Sequence, residues 1–190
     1  MKNVLIIVLS LFVFGCATSN QKNDIASAIS SGEIKIESND GKVVKLAPTS
    51  KICVFVPKDG YNPDNAWKPV QNSGLQLANA VTEAFSEYFP KTNEIVNDKD
   101  LNAAIKKARS KQYDYIIYPK IIAWTDHNTL LTGIPNQAKI NLRIYNLKQK
   151  KIDNSIVISE QGSQFESYGV TTVNLIEKPL QEVAEQLALD

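Results

Sequence analysis

The side chains able to do chemistry are few and scattered. His127 is the single histidine and the only side chain whose ordinary pKa lies near neutrality, so a catalytic reading starts there. Asp126 adjoins it, and Asp59 is a second carboxylate to test. Neighbouring residues on an extended segment project to opposite faces, so Asp126 cannot orient His127 as a base without a turn. No serine or threonine sits in a nucleophile-elbow pattern, and no glycine-rich phosphate loop is present. A lone histidine among scattered carboxylates is not a metal site. The expectation is a protein that is not an enzyme and takes neither cofactor nor metal.

The two cysteines have separate jobs. Cys53 lies in the apolar run Ile52-Cys53-Val54-Phe55-Val56 with no local His or Lys cluster to lower its pKa, and reads as a small buried hydrophobe. Cys16 lies at the end of an export signal. For Trp124-Thr125-Asp126-His127-Asn128-Thr129 two readings stay open. Either a strand ends there, with Asp126 or Asn128 bonding turn amides and Trp124 covering the sheet edge, or the loop binds. In the second case the loops after Val56 and after Trp124 meet at one end of the sheet, and Asp59, Tyr61, Trp67, Trp124, Asp126 and His127 form a rim. Aromatic-rich rims suit protein partners or glycan stacking, since they offer large area at little entropic cost.

Positioning these residues is the work of one α/β domain. Tyr113 to Trp124 is its centre: Tyr115 and Ile117 fall on one face and Ile116 and Tyr118 on the other, as in a strand covered on both sides. Pro119 has no N–H, which predicts a bulge, a bend or a locally unpaired side. Before it, Ile52–Val56 reads as a buried strand stopped by Pro57-Lys58-Asp59-Gly60. Ser73 and Gln76 have capping-box spacing ahead of a helix with Leu77, Val81, Ala84, Phe85 and Tyr88 on one stripe, ended by Pro90. Glu94 to Asn97 is a weak strand, and Asp98 opens a helix with Leu101, Ala104, Ile105 and Ala108. Ile140, Leu142 and Ile144 alternate with polar residues, and Ile152 to Ser159 returns past the Lys148-Gln149-Lys150-Lys151 turn. Val173 to Leu187 keeps helical spacing, either kinked or restarted at Pro179. Glu33 to Glu37 is a half-buried strand, either paired with Lys42–Leu46 as a hairpin or added to the sheet edge.

The expected order is βαβαβββα, a single three-layer-like domain with a mixed sheet. Its first three strands pair in parallel through right-handed crossovers, and the hairpin extends the sheet. This topology is similar to the amino-terminal domain of TolB and to lipoprotein activators of penicillin-binding proteins.

The amino terminus gives an address. Lys2 and the apolar Val4–Phe14 form a signal segment too short to span a membrane comfortably, with Gly15 as the small residue before the cut. Val13-Phe14-Gly15-Cys16 resembles the bacterial lipobox. The resemblance implies a signal peptide over 1–15, cleavage before Cys16 and acyl chains on that residue, which hold a protein at a bilayer permanently. By resemblance to lipoprotein sorting, Ala17 in place of Asp implies the outer membrane. Residues 16–32 are then the lipidated cysteine and a polar tether, with a brief helix possible from Asp24 to Ser30. Residues 33–190 are then a periplasm-facing domain. Lys+Arg number 21 and Asp+Glu 20, and Lys2 is the only charge ahead of Cys16, so the remainder is neutral by count. That argues against nucleic-acid binding, which needs clustered cations.

Pro57-Lys58-Asp59-Gly60-Tyr61, Ser73-Gly74, Tyr115-Ile116-Ile117-Tyr118-Pro119-Lys120-Ile121 and Trp124-Thr125-Asp126-His127-Asn128-Thr129 together resemble the bacterial lipoprotein family known as domain of unknown function 4823. The likeness runs from about Ile52 to the last helix and departs at Thr125, His127 and Leu131. It implies no activity. The expected function is that of an outer-membrane lipoprotein binding an envelope protein partner as an accessory or assembly factor. A receptor for a small envelope ligand, such as a peptidoglycan fragment, is the runner-up, and a hydrolase comes third.

Overall fold

The computed structural model describes residues 32–38, 41–62, 65–126, 134–163 and 171–189, with the side chains of 65–67 left aside. The signal segment, Cys16, the tether and His127 to Thr129 therefore lie outside the described residues, as does the side chain of Trp67.

Among the described residues, eight strands and three helices follow in the order β1 (Glu33–Ser38), β2 (Ile52–Phe55), β3 (Tyr61–Asn62), β4 (Asn65–Pro69), α1 (Ser73–Tyr88), β5 (Thr92–Val96), α2 (Leu101–Ser110), β6 (Tyr115–Thr125), β7 (Gln137–Asn146), β8 (Lys151–Gln161) and α3 (Thr172–Leu187). Six strands form one mixed sheet in the order β1-β8-β7-β6-β2-β5, and β3 pairs β4 in a small separate hairpin. As expected, β2 pairs in parallel with both β5 and β6, and β6, β7 and β8 run antiparallel. All four β2 residues are buried, the signature of a strand between two others with both faces covered.

The two faces of β6 part as its pattern predicts. Ile117 joins the larger core with Leu77, Val81 and Phe85 of α1 and Ile176, Leu180 and Val183 of α3. Ile116 joins the smaller one with Cys53, Phe55 and Ala104 and Ala108 of α2. The result is three layers over β5, β2 and the start of β6, and two layers beyond. Pro119 stays in register opposite Leu142. It is tolerated because β2 pairing ends at Val54 and Ile117, which leaves the far side of β6 open there. The register shift comes later, between Ile121 and Ala123.

Two open local alternatives are decided and one helix start moves. β1 is an edge strand antiparallel to β8, and Lys42–Leu46 is not its hairpin partner. The Asn154 amide holds that segment at Val44, accepting from its N–H at 3.0 Å and donating to its carbonyl at 2.8 Å, while Leu46 bridges Ala188. The second helix is capped by Asp100, which accepts from Ala103 N at 2.9 Å, and not by Asp98. α3 runs continuously through Pro179. An interior proline costs about 3 kcal/mol, whereas each large apolar side chain fully buried contributes about 1.5–3 kcal/mol. Ile176, Leu180, Val183 and Leu187, all fully buried, outweigh it.

Cys53 is buried and unpaired, with its thiol 3.7 Å from the Tyr115 carbonyl. Burial first, then the Glu94 carboxylate, pushes the thiol up to about 12, against about 8.5 in an unfolded chain. Folding therefore favours the neutral thiol. That contribution is fully present below about pH 8.5 and fades as pH rises toward 12. In the Cys16→Ser form, where Cys53 is the sole thiol, alkylation at pH 8.5 should be at least about 100-fold slower in the native protein than in urea, tracking global opening. Equal rates would show the thiol to be accessible.

Candidate functional site

The turn leaving β2 is built as a clasp on the first turn of α1. Asp59 accepts from Gly74 N at 2.9 Å through Oδ1 and from Asn72 N at 3.1 Å through Oδ2. It caps a helix that begins fourteen residues downstream, satisfying amides that a helix start leaves unpaired. The Ser73 hydroxyl donates to the Val70 carbonyl at 2.7 Å and accepts from Gly60 N at 2.9 Å. The expected Ser73–Gln76 capping box is thus replaced by a cap from another loop, with Asn72 in the left-handed region at φ 64. The reciprocal device occurs at α3, where Thr171 N donates to the Asn174 side chain at 2.9 Å.

Two glycines make the clasp close. A Cβ on Gly60 would lie 2.4 Å from Ile121 Cγ2 and 3.2 Å from Trp124 Cβ, and one on Gly74 would lie 2.2 Å from the Pro57 carbonyl oxygen. The Pro57–Gly60 turn, Ser73-Gly74 and Trp124 therefore form one packed unit.

This arrangement corrects part of the expected rim. Trp124 is fully buried in the main core and offers nothing to a partner. Asp59 spends both oxygens on the cap. Thr125 is buried, accepting from Gln137 N at 2.7 Å, and its carbonyl accepts from the Thr172 hydroxyl. Tyr61, 55% exposed, and Asp126, also exposed, do stand at the surface. Trp67 and His127 belong to the parts left aside. Among the described residues, no group of three or more His, Cys, Asp or Glu side chains could hold a metal ion, and no helix is long and apolar enough to cross a membrane.

As a cap, Asp59 predicts a stability effect. Asp59→Ala should lower unfolding free energy by about 1–2 kcal/mol, with Asp59→Asn losing less; urea denaturation of the Cys16→Ser form measures it. An unchanged midpoint would remove the cap reading.

A crevice of about 660 Å³ opens beside the clasp, at the carboxyl ends of β2 and β5 and against the middle of β6. The rim expected between the loops after Val56 and after Trp124 falls partly on residues 127–133, outside the described residues. The crevice lies between the β2 loop and the β5–α2 turn, at the strand ends where open parallel sheets place ligands. Asp59 and Tyr61 line it, joined by Asn97, Lys99, Tyr118 and Lys120, which a reading centred on His127 passes over. The signal for them was available: Asn97 and Lys99 follow directly from the end of a parallel strand.

The family model described as domain of unknown function 4823 matches residues 44–187. No curated protein matches the chain. Among solved structures, the PelC dodecamer from Paraburkholderia phytofirmans is similar at TM-score 0.61 and 13% identity, over 84% of this chain and 100% of that one. A point variant of the same protein in another crystal form gives 0.60 and 11%, over 83% and 99%. Lipoprotein GNA1162 from Neisseria meningitidis gives 0.45 and 14%, over 72% and 99%. At such identities the likeness is one of fold.

Proposed function

We propose, on the premise that the chain belongs to the family described as domain of unknown function 4823, that it is a lipid-anchored protein of the bacterial cell envelope acting by protein contacts, as an accessory or assembly factor. The observation that carries this reading is the likeness to PelC over all of that chain, a protein whose crystals hold a dodecamer. Partners then include further copies of this chain. The lipid on Cys16 holds the protein at the outer membrane, residues 17–32 serve as tether, and the α/β domain faces the periplasm. An anchor of this kind fixes the address without charge, in keeping with the near-neutral sequence.

Crosslinking in intact cells, comparing the wild type with Cys16→Ser, tests the reading. We expect one recurring envelope protein, or a ladder of self-crosslinked species, that weakens when the anchor is lost. A pattern indistinguishable from an unrelated exported protein would end it. Turnover abolished by Asp126→Ala or His127→Ala would instead promote the hydrolase reading. The small-ligand reading draws support from the crevice.

A further inference from the structure

We infer that the open face of β6 and β7, continuing into the crevice, binds an acidic glycan. Register sets out the surface. Tyr118 stands opposite Arg143 and Lys120 opposite Asn141, so Arg143 and Lys139 occupy the diagonals around Lys120, about 7–8 Å away. All three cations are exposed, and none forms an ion pair with a described carboxylate. Three like charges clustered on one sheet face repel one another, and anionic groups laid across the face relieve that repulsion.

The cluster is also held in place. Arg143 Nε donates to Asn141 Oδ1 at 3.2 Å, and Asn141 Nδ2 donates to Ser155 Oγ at 3.0 Å. This relay engages Nε, and the terminal guanidinium nitrogens of the exposed side chain remain as a fork for a carboxylate. Beside it Ile122 is 50% exposed, at the register shift in β6.

Lys120 also lines the crevice, where Lys58 and Lys99 add cations and Tyr61 and Tyr118 add rings. Asp59, Asp98 and Asp100 line it as well. Both Asp59 oxygens hold the α1 cap, and one oxygen each of Asp98 and Asp100 is bonded to a backbone amide, Lys99 N and Ala103 N respectively, which leaves the other to accept a ligand's hydroxyl protons. This mixture selects the ligand class. A phosphate-dense polymer meets repulsion from the three aspartates, whereas a uronic acid chain brings spaced carboxylates for the cations, hydroxyls for Asp98 and Asp100 and ring faces for the tyrosines. The inference stands on this surface alone and is independent of any protein partner.

The test is calorimetric titration of the full chain in its Cys16→Ser form with oligogalacturonate, beside neutral dextran oligomers, inorganic phosphate and anionic phospholipid vesicles. Oligogalacturonate is expected to bind and to weaken as salt rises. Lys120→Glu and Arg143→Glu should each weaken it by about tenfold or more, and Asn141→Ala by a smaller factor through loss of the relay. Lys91→Glu, at the other end of the sheet before β5, should leave it unchanged. Thermal melts of each variant separate lost binding from lost folding. No heat with oligogalacturonate, equal affinity for dextran, tighter association with phosphate or vesicles, or insensitivity to both charge reversals would each overturn the inference.

Discussion

Gly74→Ala should destabilise the protein by about 2–4 kcal/mol, a direction opposite to the usual effect of alanine in a helix. Gly74 is the second residue of α1, where alanine ordinarily gains up to about 1 kcal/mol over glycine. Here a Cβ would sit 2.2 Å from the Pro57 carbonyl oxygen and 3.3 Å from Asp59 Oδ1. The first contact is with backbone and no rotamer relieves it, so the β2 turn must move off the helix. Overpacking of this kind costs about 1–3 kcal/mol. The movement also stretches the two Asp59 bonds that cap α1, adding a cap loss of about 1 kcal/mol. Urea denaturation measures the sum. Combining Gly74→Ala with Asp59→Ala adds a sharper reading: if the first change already breaks the cap, the double variant should lose less than the two single losses together. A midpoint raised by Gly74→Ala would mean that the turn yields freely, and the clasp would not be the constraint described.

Much of this fold was legible because its signals were local and redundant. The pairing of Tyr115 with Ile117 and Ile116 with Tyr118 placed a two-sided central strand, and α1 and α2 on opposite faces of the sheet bear it out. The stripe Leu77, Val81, Ala84 and Phe85 named the buried face of α1, each of them at most 3% exposed. What escaped depended on distant partners. The alternation of β1 suits a hairpin or an edge equally, and the choice was made by β8, whose Ile156 pairs with Ile36. Ser73 and Gln76 have capping spacing, yet Asp59 supplied a carboxylate in place of a hydroxyl, and the Ser73 oxygen was drawn into the turn instead.

The candidate site was legible only in outline, and one residue shows why. Strand alternation counted from Ile117 through Ile121 puts Trp124 on the open face of the sheet, where a rim residue belongs. The register shift between Ile121 and Ala123 inserts one residue into β6, and a one-residue shift exchanges faces for everything beyond it. Trp124 is thereby turned into the core with Ile117 and Ile121. Nothing in the residue types at Ile121, Ile122 and Ala123 announces a bulge. Ile122, on the open face by the same count, is 50% exposed. The cations of the open face were each visible as the polar half of an alternating strand, but their gathering around Asn141 is a product of register between β6 and β7.

Trp124→Ala accordingly separates the two accounts of this residue. A rim tryptophan truncated to alanine leaves the fold intact and costs binding, often 2 kcal/mol or more at an anchor position. A core tryptophan truncated to alanine costs about 3–5 kcal/mol of unfolding free energy, which for a domain of this size lowers the melting temperature by on the order of 10 °C. Trp124 is fully buried among the largest core side chains. Its removal therefore opens a cavity in the main core. We expect the larger stability loss, with Trp124→Phe losing less because the ring still fills most of the space. Thermal denaturation of the Cys16→Ser form reads it directly, and glycan titration of the same variant at a temperature where it is folded should show affinity near that of the parent. A melting temperature unchanged by Trp124→Ala, together with lost binding, would return Trp124 to the surface and remove the bulge as the explanation for its place.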